Sequence, residues 1–179
     1  NGQLDLAGSV YAPQGQLQLQ GQRLALADQR LQQLKLDASL NSAQRGQISL
    51  QALGIALGET ELGRLDANAT GNQHQQSLEL QLQGPLLNSQ LALAGKLDKG
   101  NWRGSLSRAE VQSSGQDWRL QQPASVQRLA NGQLSLGAHC WRSGEASLCG
   151  TEQRLLPQAK LNYQLSNFPM DSLAALWPE

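Results

Sequence analysis

Apolar and polar residues alternate along most of this chain, most plainly at Ser77–Gly84, SLELQLQG, where leucine holds every second position and glycine closes the run. The phrase recurs at Gln14–Gly21 (QGQLQLQG), Gly46–Gly54 (GQISLQALG), Gln90–Gly95 (QLALAG) and Gly132–Gly137 (GQLSLG). Successive side chains of a strand point to opposite faces, so a period of two predicts strands with one leucine face and one polar face.

Turn residues then divide the chain into strands. A two-residue loop at Gly21-Gln22 predicts a first hairpin, with Leu19 opposite Leu24 and Leu17 opposite Leu26. Leu34, Leu36, Ala38 and Leu40 form the next run, and Ile48, Leu50 and Ala52 follow the polar turn at Asn41–Gly46. Glycines make Leu53–Gly63 irregular and predict bulges there. Leu65, Ala67 and Ala69 resume the alternation, and Leu78, Leu80 and Leu82 lead through Gly84-Pro85 to Leu91 and Leu93. Asp98–Asn101 turns the chain into Trp102 and Leu106, and simple hairpins at both turns place Leu80, Leu93 and Leu106 in one cross-strand row. Trp118 and Leu120 mark a further strand, and Asn131-Gly132 predicts a hairpin with Leu129 opposite Leu134, followed by Leu136. After Leu161, Tyr163 and Leu165 the period changes. Leu173, Leu176 and Trp177 behind Asp171 predict a short helix over 169–177, ended by Pro178.

The tight turns make the expected sheet antiparallel and meandering, with roughly a dozen to sixteen strands, and they argue against a parallel β-helix. Twisted sheets of more than about ten strands usually curl or split into layers, so the leucine face either folds onto itself or lines something. Asn1–Gly8, NGQLDLAG, is already in mid-pattern, which predicts that residues 1–179 are one continuous segment of a longer repetitive protein.

Composition sharpens this picture. The chain of 179 residues has 14 basic and 14 acidic residues and a net charge of zero, so no face is basic enough for a nucleic-acid footprint. Charged residues make up only 16 %, against about 25 % in ordinary soluble domains. Glutamine, at 27 copies, takes the place of charge. The apolar positions hold 35 leucines against three valines and two isoleucines. Strands usually favour β-branched residues, and a core made of one flexible aliphatic residue is loosely specified. These leucines therefore need not interlock with one another. No apolar run is long enough to cross a bilayer as a helix.

The candidate chemistry is sparse. Cys140 and Cys149 lie in HCWRSGEASLCG, and a two-residue loop at Gly144-Glu145 sets them opposite each other as a non-hydrogen-bonded pair. A bridge is geometrically allowed there and implies an oxidising compartment; two small buried thiols are the alternative. That register puts Leu134 and Leu136 on the cysteine face and Trp141 and Leu148 on the other, unless a bulge near Gly137 intervenes. His74 and His139 lack a metal-like partner set, and Glu59 and Glu61 are read as neighbours on a solvated strand face. The glycines sit at turns and form no phosphate loop. No catalytic residue, metal site or cofactor is expected, and an enzyme is the least supported class.

The leucine repeats, the cysteine hairpin and the tail YQLSNFPMDSLAALWPE resemble the TamB family, the inner-membrane-anchored subunit of the translocation and assembly module, related to AsmA-like proteins. The resemblance covers essentially the whole chain, and its most particular part is the strand-to-helix tail at Tyr163–Trp177. It implies a periplasmic segment whose membrane anchor lies outside it, in a protein that spans the envelope to an outer-membrane partner barrel, TamA. It further implies an all-β fold: a single antiparallel meandering sheet curled into a U-shaped trough, a β-taco, with an apolar interior and a short C-terminal helix. Such a groove is thought to carry phospholipid between the membranes or to assist assembly of outer-membrane proteins such as autotransporters. Its expected occupants are phospholipid acyl chains or unfolded outer-membrane protein strands. On that reading the groove-lining residues are Leu17, Leu19, Leu24, Leu26, Leu34, Leu36, Ile48, Leu50, Leu65, Leu78, Leu80, Leu82, Leu91, Leu93, Leu106, Leu134 and Leu136. Two other classes stay open: a structural β-sandwich spacer with a dry core, and a chaperone-like binder that accepts strands at a sheet edge.

Overall fold

The computed structural model describes residues 1–9, 11–72, 74–113 and 115–169. They form one antiparallel sheet of 15 strands: β1 Gly2–Ser9, β2 Ala12–Leu26, β3 Gln29–Leu40, β4 Gly46–Leu57, β5 Thr60–Gly71, β6 Gln76–Gln83, β7 Asn88–Asp98 and β8 Asn101–Ser113, then β9 Gln116–Leu120, β10 Ala124–Arg128, β11 Leu134–Leu136, β12 His139–Ser143, β13 Ala146–Gly150, β14 Gln153–Leu156 and β15 Tyr163–Ser166. From β1 to β9 each strand pairs with its neighbour in sequence, because two- to five-residue turns leave no length for a crossover.

The last strands are broken in line with one another. Along one edge of β8, Trp102–Leu106 pairs with β10 and Glu110–Ser113 pairs with β9, so β9 and β10 act as one strand interrupted at 121–123. β12 and β11 continue the same two lanes, as do β13 and β14, with breaks at 137–138 and 151–152. The register changes by one residue across the breaks at 121–123 and 137–138 and is kept across 151–152. Pro123 lacks a ladder N–H, and Gly137 lies where Ser125 leaves no room for a Cβ. Gln153, fully buried, bridges the crease: its Nε2 donates to the carbonyls of Thr151 and Asn162 at 2.8 and 2.7 Å, and its Oε1 accepts from the Asn162 N–H at 2.6 Å.

This crease is where the core sits. Leu106, Ala109, Ala124 and Val126 form the buried cluster, with Leu91, Leu93, Trp102, Leu120, Leu134, Leu136 and Trp141 packed around it. Leu134, Leu136 and Trp141 therefore meet on one face, which is what a bulge near Gly137 accomplishes.

Several expectations are corrected. The sheet is not a U-shaped trough: it is neither closed nor strongly curled, and every extensive contact between strands is between hydrogen-bonded neighbours. Cross-strand neighbours on the leucine face half-bury one another within the single layer. Among the described residues there is no helix. Of the helix expected over 169–177, Pro169 is outside regular structure and the remainder lies outside the described residues.

Gly21 and Gln22 do not form a hairpin but lie within β2, and Leu17 and Leu19 face Ala38 and Leu36. The glycine there serves close packing instead: Leu24 Cδ1 is 2.9 Å from where a Gly21 Cβ would stand. The row joining Leu80, Leu93 and Leu106 is replaced by Leu78–Leu93–Leu106, because the turn after β6 spans four residues, 84–87, and moves the register by two. The Asn131-Gly132 turn pairs Arg128, not Leu129, with Leu134, since Leu129 N–H donates to Gln133 O across a longer loop.

Candidate functional site: an open leucine face

The registers assemble four rows, three across the first eight strands and one across β2–β8. One row runs Leu4, Leu17, Ala38, Ile48, Ala69, Leu78, Leu93, Leu106. Beside it runs Gly2, Leu19, Leu36, Leu50, Ala67, Leu80, Leu91, Ala109. A third row holds Gly21, Leu34, Ala52, Leu65, Leu82, Ser89 and Val111. On the other flank lies a row rich in glycine: Leu6, Gly15, Leu40, Gly46, Gly71, Gln76, Gly95, Gly104. None of these side chains carries a charge.

The reverse face is its complement. Between the leucine rows lie Gln18, Asp37, Ser49, Asn68, Glu79 and Arg108, and Gln20, Lys35, Gln51, Asp66, Gln81 and Gln90. Period two brings i and i+2 together, giving the Lys35–Asp37 pair at 3.1 Å and the Arg64–Asp66 pair at 2.6 Å. The hydrogen bond to Asp66, and its charge, hold the Arg64 pKa above its usual value.

Exposure changes along the rows. At the β1 end Leu4 is 60 % exposed, Ile48 on β4 is 47 %, and Leu106 on β8 only 8 %. A hollow of about 390 Å³ opens on the exposed part, where Leu40, Ile48 and Ala69 border the glycine pair Gly46/Gly71. Of the leucines singled out by sequence, Leu17, Leu19, Leu34, Leu36, Ile48, Leu50, Leu65, Leu78, Leu80, Leu82, Leu91, Leu93 and Leu106 lie in the rows. Leu24 follows Arg23, whose φ of 52° interrupts the alternation, and Leu26 is exposed at the margin. Leu134 and Leu136 belong to the core around Leu106.

Sequence reasoning placed Ala38, Ala52, Ala67 and Ala69 in the alternating runs but left them, and Ala109, out of the lining set. The signal was available, since each stands at an alternating position opposite a leucine or isoleucine. It also missed Trp102, whose indole lies over Gly95 and Gly104 where either Cβ would collide with it, and whose Nε1–H donates to Gln76 Oε1 at 3.0 Å.

Away from this face, Cys140 and Cys149 pair in register and form a disulfide with Cα atoms 4.1 Å apart. His139 is buried. Its Nδ1 is 2.7 Å from Gly137 O and its Nε2 is 2.9 Å from Tyr163 Oη. A carbonyl only accepts, so Nδ1 carries a proton, and in the neutral ring Nε2 accepts from the phenol. Partial burial pushes the Tyr163 pKa above its usual value. Glu59 is exposed in the turn between β4 and β5, Glu61 is exposed on β5, and among the described residues no group of His, Cys, Asp and Glu could hold a metal.

No solved structure matches the chain. The family model described as TamB, N-terminal domain, matches residues 1–179, the whole chain.

Proposed function

Because the chain belongs to the family of TamB, N-terminal domain, we propose that it is a periplasmic segment of an envelope-spanning protein and that its leucine face carries phospholipid acyl chains. The single observation that supports this most is the set of four rows without a charged side chain, exposed or half-exposed over β1–β7 except at Ala52. Acyl chains need apolar contact and no fixed hydrogen bonds, at about 0.8 kcal/mol per methylene removed from water. The open face offers that contact without a closed trough.

Phospholipid fits this face better than an outer-membrane protein strand. The backbone N–H and C=O groups of the face are used in the ladders, whereas an added strand needs an unpaired edge. In the envelope the same protein would work with the TamA barrel, and lipid delivery would then support outer-membrane protein assembly indirectly. Mass spectrometry of material retained by protein purified from the periplasm tests the reading. Stoichiometric phospholipid is the expected result. Protein free of lipid, or carrying only peptide, would overturn it.

A further inference from the structure

We propose that Trp102 and Leu106 divide the leucine face into a lipid-accepting part, β1–β7, and a closed block, β8–β14, that takes no acyl chain. The inference rests on the lipid reading above and adds where occupancy stops.

Three independent features place the boundary. First, the row that runs from Leu4 to Leu106 holds side chains 60 % and 47 % exposed at Leu4 and Ile48, yet Leu106 at its end is only 8 % exposed. Second, the flanking glycine row is open at Gly46, where a Cβ would meet nothing nearer than 3.8 Å, but is roofed at Gly95 and Gly104 by the Trp102 indole. The hydrogen bond from Trp102 Nε1 to Gln76 Oε1 fixes that roof and puts a satisfied polar pair across the apolar path. Third, the crease begins beside it. The register shift between Ala92 and Leu93 leaves Ser107 unpaired in the ladder, with its Oγ donating to Ala92 O at 3.2 Å, and beyond it the strands break in line. Leu134 and Leu136 pack against the buried cluster of Leu106 and Val126, so side chains already take up apolar contact there.

An uncharged chain lying along the rows therefore meets apolar contact up to Leu93 and packed protein beyond it.

The test uses photo-crosslinking in the native polypeptide within the bacterial envelope. Benzoylphenylalanine replaces Leu50 or Leu80 on the open part and Leu134 on the closed part, and phospholipid adducts are identified by mass spectrometry. Adducts at Leu50 and Leu80 with none at Leu134 are expected. Equal adducts at all three positions would overturn the boundary and leave the lipid reading standing. Adducts at none would overturn the lipid reading and the boundary with it. Hydrogen exchange on the unsubstituted protein covers the case in which the bulky residue at Leu134 disturbs folding. On mixing with vesicles of phosphatidylethanolamine and phosphatidylglycerol, β3–β6 should gain protection while β10 and β11 stay unchanged. New protection at β10 and β11 would count against the boundary.

Discussion

Leu93 of β7 lies directly opposite Leu106 of β8, and across this one pair the leucine face passes from half-buried to closed. The two side chains have the same chemistry and the same row. What differs is the bulge and the broken strands beyond Leu106, so location in the sheet, not residue type, sets what each leucine does. The same division governs how substitutions should act.

Leu106→Ala removes buried methyl groups from the cluster with Ala124 and Val126 and is expected to cost about 2–5 kcal/mol. Leu4→Ala, on a side chain already exposed, should stay within about 0.5 kcal/mol. Urea denaturation of both variants measures the contrast. Equal losses would mean that the face is evenly buried.

Leu80→Glu places a carboxylate on the half-buried part of the face, where water can reach it, so the variant should melt cooperatively and remain soluble. Its expected defect is loss of co-purifying phospholipid. Leu106→Glu puts the same charge in the core and should fail to fold. A folded Leu80→Glu protein that retains lipid like the parent would remove this face as the carrier.

The Cys140–Cys149 bridge ties β12 to β13 beside the crease, on the face opposite Trp141 and Leu148. Restricting so short a loop in the unfolded chain contributes about 2–3 kcal/mol. Reductant, or Cys140→Ser with Cys149→Ser, should lower the melting midpoint by roughly 5–10 °C for a domain of this size. Calorimetry with and without reductant checks the value, and an unchanged midpoint would show that the hairpin holds without the bridge.

Gln153→Ala leaves the Asn162 N–H and the carbonyls of Thr151 and Asn162 without the partners that the buried amide supplies. Thr151 and Asn162 are exposed and water can take the place of the amide, so the expected loss is the net about 0.5–1.5 kcal/mol of each hydrogen bond. Hydrogen exchange should localise it to β13 and β15.

Tyr163 gives the protein an alkaline limit. Burial raises the folded phenol above its unfolded value, so the stabilising difference is fully present below the ordinary tyrosine range near 10 and is lost as pH rises through the folded value. Ionisation also removes the proton donated to His139 Nε2. The melting midpoint should fall above about pH 10, and Tyr163→Phe should flatten that fall while lowering stability at neutral pH. A parallel alkaline decline in Tyr163→Phe would assign it to another group.

The sequence by itself determined the strands, their two chemically opposite faces and the pairing of the cysteine hairpin. Side-chain alternation is local, and a two-residue loop such as Gly144-Glu145 fixes its own register. Registers across longer turns were not legible. The four-residue turn at 84–87 moved Leu80 from Leu93 to Leu91, and Gly21 proved to make room for Leu24 inside a strand where its type suggested a turn. Only the tertiary structure decided that the sheet stays open instead of curling, and that Leu106 is buried while Leu4 and Ile48, in the same row, stay exposed. Burial depends on what lies across the sheet. Here that is set by strand breaks at 121–123, 137–138 and 151–152 falling in line, a coincidence of positions far apart in sequence that no local pattern records.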